Sequence, residues 1–424
     1  MKAFKLLKTG VFCAAMSLAT LFVLPTSAQA ESVTLRFWHS IDPTMPDGVA
    51  MLAQIEAFKK AHPDIKIDMQ QIAFAGLHDK LVTSIAAGDA PDLSWGLIEW
   101  LGELDRMNGL ADLTPYFEKW ADRDQFYPSA IQALTVNGKI KGLPNYMGIR
   151  GLLYHEEMLK KAGISTPPKT WSELIEASQK IKKATGKFGF GIAGTGVRAP
   201  QELIMYLAQN EVDLAVRTKD GKHRNTWVED PQQMARATEV FAFYQQLLEQ
   251  KAISPQAVGW GYEEEDTNFA LGQYAMVVDG AWMSSRIKDN PEAMKDVKIA
   301  PPPYARKAAT FAEVNPFYVF KSKHPQQTWE FVSFMAGKEY QAASNPDRAP
   351  RKDVVSENMW GRDLMALAPT GIGFPPVALG SITRAMSDSI GRVLLKREKP
   401  ADTAKWLGNA INKALKKSGE LGEN

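Results

Sequence analysis

Trp38-His39-Ser40 is the first cluster along the chain with residue types suited to chemistry on a small solute. It follows Val33 to Trp38, an alternation of apolar and polar residues that reads as a strand. Residues just past the carboxyl ends of strands in open α/β sheets face ligand crevices. An indole covers the C–H face of a ring solute, while imidazole and hydroxyl groups bond its hydroxyls. The competing reading is a packed tryptophan and a capping histidine. Gly194-Thr195-Gly196 ends a further strand, Lys187 to Ala193. Its backbone N–H groups and the helix start near Pro200 form a candidate anion site. Asn315 and Phe317 begin a late strand and are further candidates.

Other patterns exclude more than they suggest. Gly189-x-Gly191-x-x-Gly194 matches the dinucleotide fingerprint literally, but a helix precedes it and its glycines alternate within an apparent strand. Glu263 to Asp266 is an acidic run at a helix start, where the helix dipole favours it, and it lacks the looped spacing of a calcium site. The six histidines are scattered, with no His-Glu-x-x-His motif. No nucleophile elbow or phosphate-binding loop occurs. No metal and no cofactor are expected.

Strand and helix signals alternate, as in a largely parallel α/β sheet. After the first strand come a helical stripe from Asp47 to Ala61 and a strand at Ile65 to Met69. A second helix then leads to a short strand at Pro91 to Trp95. Asn137-Gly138 between short apolar segments signals a hairpin. After Pro144 a second α/β unit begins with Gly151 to Tyr154. In it, Thr170 caps a helix and Glu173 stands three residues on. A proline-rich break at Lys298 to Pro303 precedes the late strand, and residues 376–417 are mostly helical. Prolines limit a linker's dihedrals, so the two breaks are candidate crossings between lobes. Tyr146 and Arg150 lie in the first crossing, which would line a cleft floor.

The N-terminus carries Lys2, Lys5 and Lys8, an apolar run to Leu24, and Ala28-Gln29-Ala30 before Glu31. That is the pattern of a secretory signal peptide over residues 1–30, and it implies export to the periplasm. Cys13, the only cysteine, lies within it, so the exported chain would carry no disulfide or thiolate. Without the three signal lysines the 50 basic residues become 47, against 48 acidic. Such a balance argues against nucleic acid as a partner. The length exceeds what one core usually holds and suggests two domains.

The segments RFWHS, AAGDAPDLSW, VNGKIKGLPNY, PPKTWSELIEASQKI and NFALGQYAMVVDGAW come in an order and spacing that resemble family 1 extracellular solute-binding proteins, the receptors of ABC sugar importers. The resemblance implies the type II periplasmic-binding-protein fold: two α/β lobes, each a mostly parallel sheet flanked by helices, joined by two or three crossover segments. The lobe boundaries expected are 31–144 with 302–340, and 145–301 with 341–424. A solute would bind between the lobes and close them by hinge motion.

By the same resemblance, ligand contacts fall on Glu99 and Trp100, and Gly280-Ala-Trp282 matches the family's Gly-x-Trp, whose ring walls the cleft. Arg348 and Arg351 lie in a loop that resembles its Pro-x-Arg-Lys-Asp. Arg150 stands where a neutral residue is commoner. Together Arg150, Arg198, Arg348 and Arg351 raise an anionic sugar derivative beside the neutral sugars and polyols. The expected partners are the solute and a membrane permease, and a receptor that docks both lobes on a transporter is most simply a monomer. The alternative is an exported glycoside hydrolase, which needs two facing carboxylates beside an aromatic cleft.

Overall fold

The computed structural model describes residues 32–423, so the expected signal segment and Cys13 lie outside the described residues. Two sheets organise the chain. In the first, Val33–His39 pairs in parallel with Ile65–Gln71 and with Leu93–Trp95. The long strand Thr310–Val319 runs antiparallel to both Leu93–Trp95 and Gly142–Ile149, and Gly371–Ile372 pairs with its start in parallel. In the second, the order is Val297–Ala300, Gly151–His155, Tyr274–Asp279, Phe188–Phe190. Only the last pairing there is parallel.

The α/β class is as expected, but the second sheet is mixed rather than mostly parallel. Gly151–His155 enters it straight from Gly142–Ile149 through Arg150, with no intervening helix to bring it round parallel to a neighbour. Alternation of helix and strand decides what covers a sheet, not the direction of each neighbouring pair.

The crossings also shift. Pro144 lies inside Gly142–Ile149, which stays paired to the first sheet through Ile149, so the chain changes sheet at Arg150. Residues 298–300 of the proline-rich break belong to an edge strand, and the linker proper is 301–309. The late strand starts at Thr310, well before Asn315. Helix Lys338–Ser344 packs on Pro46–Ala61 beside the first sheet, so residue 341 does not mark a change of lobe. The third crossing segment, residues 345–379, touches both lobes. Helix Met359–Met365 packs on Val297–Ala300, Gly371–Ile372 returns to the first sheet, and Gly380–Leu394 packs on the second-lobe helices.

Each sheet is covered by helices that bury an apolar stripe. Phe37, Phe58 and Phe331 interlock under the first sheet, with Phe37 and Phe331 edge-on at 5.8 Å. In the second lobe Trp171 stacks on Phe243 at 4.4 Å, and Tyr206 and Tyr244 pack beside them. The hairpin forms at Asn137-Gly138, both at positive φ (50° and 75°), as a tight two-residue turn demands. Among the described residues no helix is long and apolar enough to cross a membrane.

Helix Trp171–Thr185 starts as its sequence signals. The Thr170 hydroxyl accepts from the Glu173 N–H at 3.2 Å, and the Glu173 carboxylate accepts from the Lys169 N–H at 2.7 Å. Thr170→Ala is expected to cost about 1 kcal/mol, read by urea denaturation, with ligand affinity unchanged. A cost near zero would show that water replaces the cap.

Candidate functional site

A cavity of about 510 Å³ lies between the two sheets and draws its walls from both lobes. Trp95 and Tyr146 come from strands of the first sheet, while Arg198, Tyr262 and Trp282 come from helix starts of the second lobe. Arg150, where the chain changes sheet, lines it from the crossing.

Trp282 is placed by glycines. It follows Gly280 at the end of Tyr274–Asp279, and its ring lies so close that a Cβ on Gly280 would meet it at 2.2 Å. Gly148, in the first lobe, approaches the same ring, where a Cβ would stand 3.2 Å away. The indole therefore bridges the lobes. The guanidinium carbons of Arg150 and Arg198 lie 5.5 and 5.2 Å from its centroid. Tyr146 sits where the pairing of Gly142–Ile149 with Thr310–Val319 slips between Asn315 and Pro316. Proline has no N–H to keep the ladder regular there. Asn315 donates to the Tyr146 hydroxyl and to Glu313, and accepts from the Ile98 N–H at 3.3 Å. Arg348 covers the Tyr146 ring at 4.2 Å.

The cavity's base is charged. Arg198, the first residue of Arg198–Gln209, aims Nη1 at the carboxylates of Glu265, Asp266 and Asp279, at 3.1, 2.8 and 2.9 Å. That guanidinium fills the point between three acids spaced as metal ligands would be, so no metal is assigned to them. Burial, reinforced by Asp279, pushes Asp266 up to about 9. Burial, then Glu202, holds Glu265 well above the usual carboxylate range, and burial lifts Glu202 to about 7. Across the lobes, Gln201 donates to Glu99 at 2.7 Å and accepts from Arg150. Burial, then the Glu313 charge, raises Glu99 to about 7.

Of the residues expected from sequence, Tyr146, Arg150, Arg198, Trp282 and Arg348 line this cavity. Asn315 is fully buried and braces it from behind. Glu99 and Trp100 line a neighbouring interlobe hollow of about 390 Å³ instead. The remaining seven do not line the cavity. The first strand continues through His39, so Trp38 and His39 are ladder residues packed in the core. Burial accordingly lowers the imidazole pKa of His39. Ser40 stops short, and the loop beyond it brings Met45 to the cavity. Gly194 and Thr195 spend their N–H groups on the Ala257 and Trp260 carbonyls and have none left for an anion. Phe317 is core, edge-on to Phe37. Arg351 is held by Asp122 and Asp353 at 2.9 Å each, in the first lobe.

Gln201 and Glu313 were not singled out, although spacing pointed at them. Gln201 is three residues from Arg198 on one helix face, and Glu313 is two from Asn315 on one strand face. Trp95 closes a strand already recognised, and Tyr262 and Arg286 carried no sequence signal.

With this architecture in view, the chain belongs to the bacterial extracellular solute-binding protein family, whose model matches residues 42–342. It is thus an exported solute-binding protein rather than a hydrolase. It is 28% identical over 356 residues to the arabinooligosaccharide-binding protein of Bacillus subtilis, an alignment covering 78% of this chain and 76% of that one. Among solved structures it is similar to a solute-binding protein of an ABC transporter from Thermotoga lettingae bound with α-D-tagatose (TM-score 0.77, 23% identity, 91% of this chain and 100% of that one). It is also similar to the GacH receptor of Streptomyces glaucescens (TM-score 0.76, 21% identity, 91% and 99%). These likenesses support the two-lobed fold.

Proposed function

We propose that this chain is the periplasmic receptor of an ABC sugar importer. It captures a carbohydrate, polyol or sugar derivative between its lobes, closes by hinge motion at Arg150, 301–309 and the third crossing, and presents the closed form to a membrane permease as a monomer. Residues 1–30 act as a signal peptide removed after Ala30. The observation that carries the reading is the interlobe cavity itself. Its volume of about 510 Å³ lies within the roughly 300–1,000 Å³ of small-molecule sites. Its walls pair aromatic faces with charged hydrogen-bonding groups, the combination that ring C–H faces and hydroxyls require. The relatives named for arabinooligosaccharide and α-D-tagatose support the same class.

Small-angle scattering and tryptophan fluorescence of the chain from Glu31 to Asn424 test it against a panel of neutral and charged sugars and polyols. A saturating ligand is expected to shrink the scattering radius and change the emission of Trp282. A ligand that binds while leaving both unchanged would show that closure is wrong.

A further inference from the structure

The cavity's unmet hydrogen bonds share one sign. Among the described residues that line it, the buried polar side-chain atoms without a partner are Nε and Nη1 of Arg150 and Nε1 of Trp282. All of these are donors. The acidic groups in the same walls are mostly spoken for. Asp266 faces Arg198, and Glu263 takes Arg286 at 2.7 Å. Glu313 accepts from Asn315 and stands 3.6 Å from Arg150, beyond a hydrogen bond. Asp289 is exposed at the cavity wall. The basic groups differ from one another in the same way. The charge of Arg198 is offset by three carboxylates at Nη1, and Arg286 has Glu263. Arg348 meets Asp47 at 3.3 Å. Arg150 has one hydrogen bond from its guanidinium, to the neutral Gln201. A buried cation whose remaining donors are idle is costly unless a bound group accepts from them.

We propose that the solute carries an anionic group, a carboxylate, sulfonate or phosphate ester on a hydroxylated ring, and that Arg150 and the Trp282 indole N–H receive it. The inference rests on the receptor reading above and narrows its ligand class. It leaves Arg351 and Arg198, two of the four arginines that raised the idea from sequence, in structural roles. Arg150 is the specificity determinant, and exposed Asp289 suits the hydroxyls.

The test uses matched sets on glucose, galactose and mannose: the neutral hexose, its uronate, its 6-phosphate and its 6-sulfonate, together with neutral disaccharides and polyols. Thermal shift finds binders and calorimetry measures them. At least one anionic member is expected to bind roughly tenfold or more tighter than its neutral parent, the size of a hydrogen bond to a charged group. Arg150→Gln should erase that preference, while Arg150→Lys, which keeps the charge but not the fork, should retain part of it. Circular dichroism establishes that both variants fold. Should neutral and anionic members bind alike, or should Arg150→Gln weaken both alike, the anionic group is wrong and the receptor reading stands. Binding by no member of any set would count against both.

Discussion

Replacing Arg198 by methionine is expected to cost about 3–5 kcal/mol of folding stability at pH 8, the range for removing one partner from a buried ion cluster. The side chain is 5% exposed, and its Nη1 is shared by Glu265, Asp266 and Asp279, all buried. Methionine fills similar space but leaves these acids with no charge to face. The loss should depend on pH, and its sign follows from the shifts already present. Asp266 at about 9, Glu202 at about 7 and Glu99 at about 7 all lie above their ordinary 3.8 and 4.5. The folded state therefore binds more protons than the unfolded chain between about pH 4 and 9. Stability from this source is complete below that window and is lost as pH rises through it. Without Arg198 the carboxylates need still more protons. Urea unfolding at pH 5 and pH 8 should find both proteins more stable at pH 5, and the gap between them wider at pH 8. A variant with wild-type stability at pH 8, or a gap that ignores pH, would mean that the acids are hydrated and the cluster is not a sealed base.

The same cluster shows what a sequence carries and where it stops. Glu263 to Asp266 reads as an acidic helix start, and it is one: the Glu264 carboxylate accepts from the Gly261 N–H at 2.9 Å. Yet a helix turns about 100° per residue, so the four acids part company. Glu263 reaches Arg286, while Glu265 and Asp266 turn inward to Arg198. Local spacing fixes that divergence, but the buried cation awaiting two of them comes from a helix more than sixty residues earlier. Distant pairing is likewise what hid Trp38. Its alternation marked the strand correctly, but only the pairing of His39 with Gln71 shows the strand running past it, which puts the ring in the core. Tyr146 and Arg150 were legible because a connection between two sheets has to border the space between them. Glu313 was hidden because period two assigns residues to two faces without saying which face meets the other lobe.

Trp282→Ala is expected to weaken ligand binding by about thirtyfold or more, the scale of roughly 2 kcal/mol at which an aromatic anchor counts as a hot spot. The ring does three things at once. It lines the cavity, spans from Gly280 to Gly148 across the lobes, and lies against both buried guanidinium groups. A tryptophan that merely packs would lower the unfolding midpoint and leave affinity alone, so calorimetry and urea denaturation must be read together. Glycine substitutions separate position from presence. Gly280 has an ordinary φ of −117°, so alanine is tolerated by the backbone, but its Cβ would overlap the indole and force it to move. Gly148→Ala asks the ring to yield only slightly, its Cβ standing 3.2 Å away. The affinity losses should therefore rank Trp282→Ala first, Gly280→Ala second and Gly148→Ala last. Trp282→Phe isolates the donor, since it keeps an apolar face and removes Nε1. If an anionic group sits at Arg150, phenylalanine should cost the anionic sugar more than its neutral parent. Equal losses would assign the indole to stacking alone and leave Arg150 as the sole receiver of the charge.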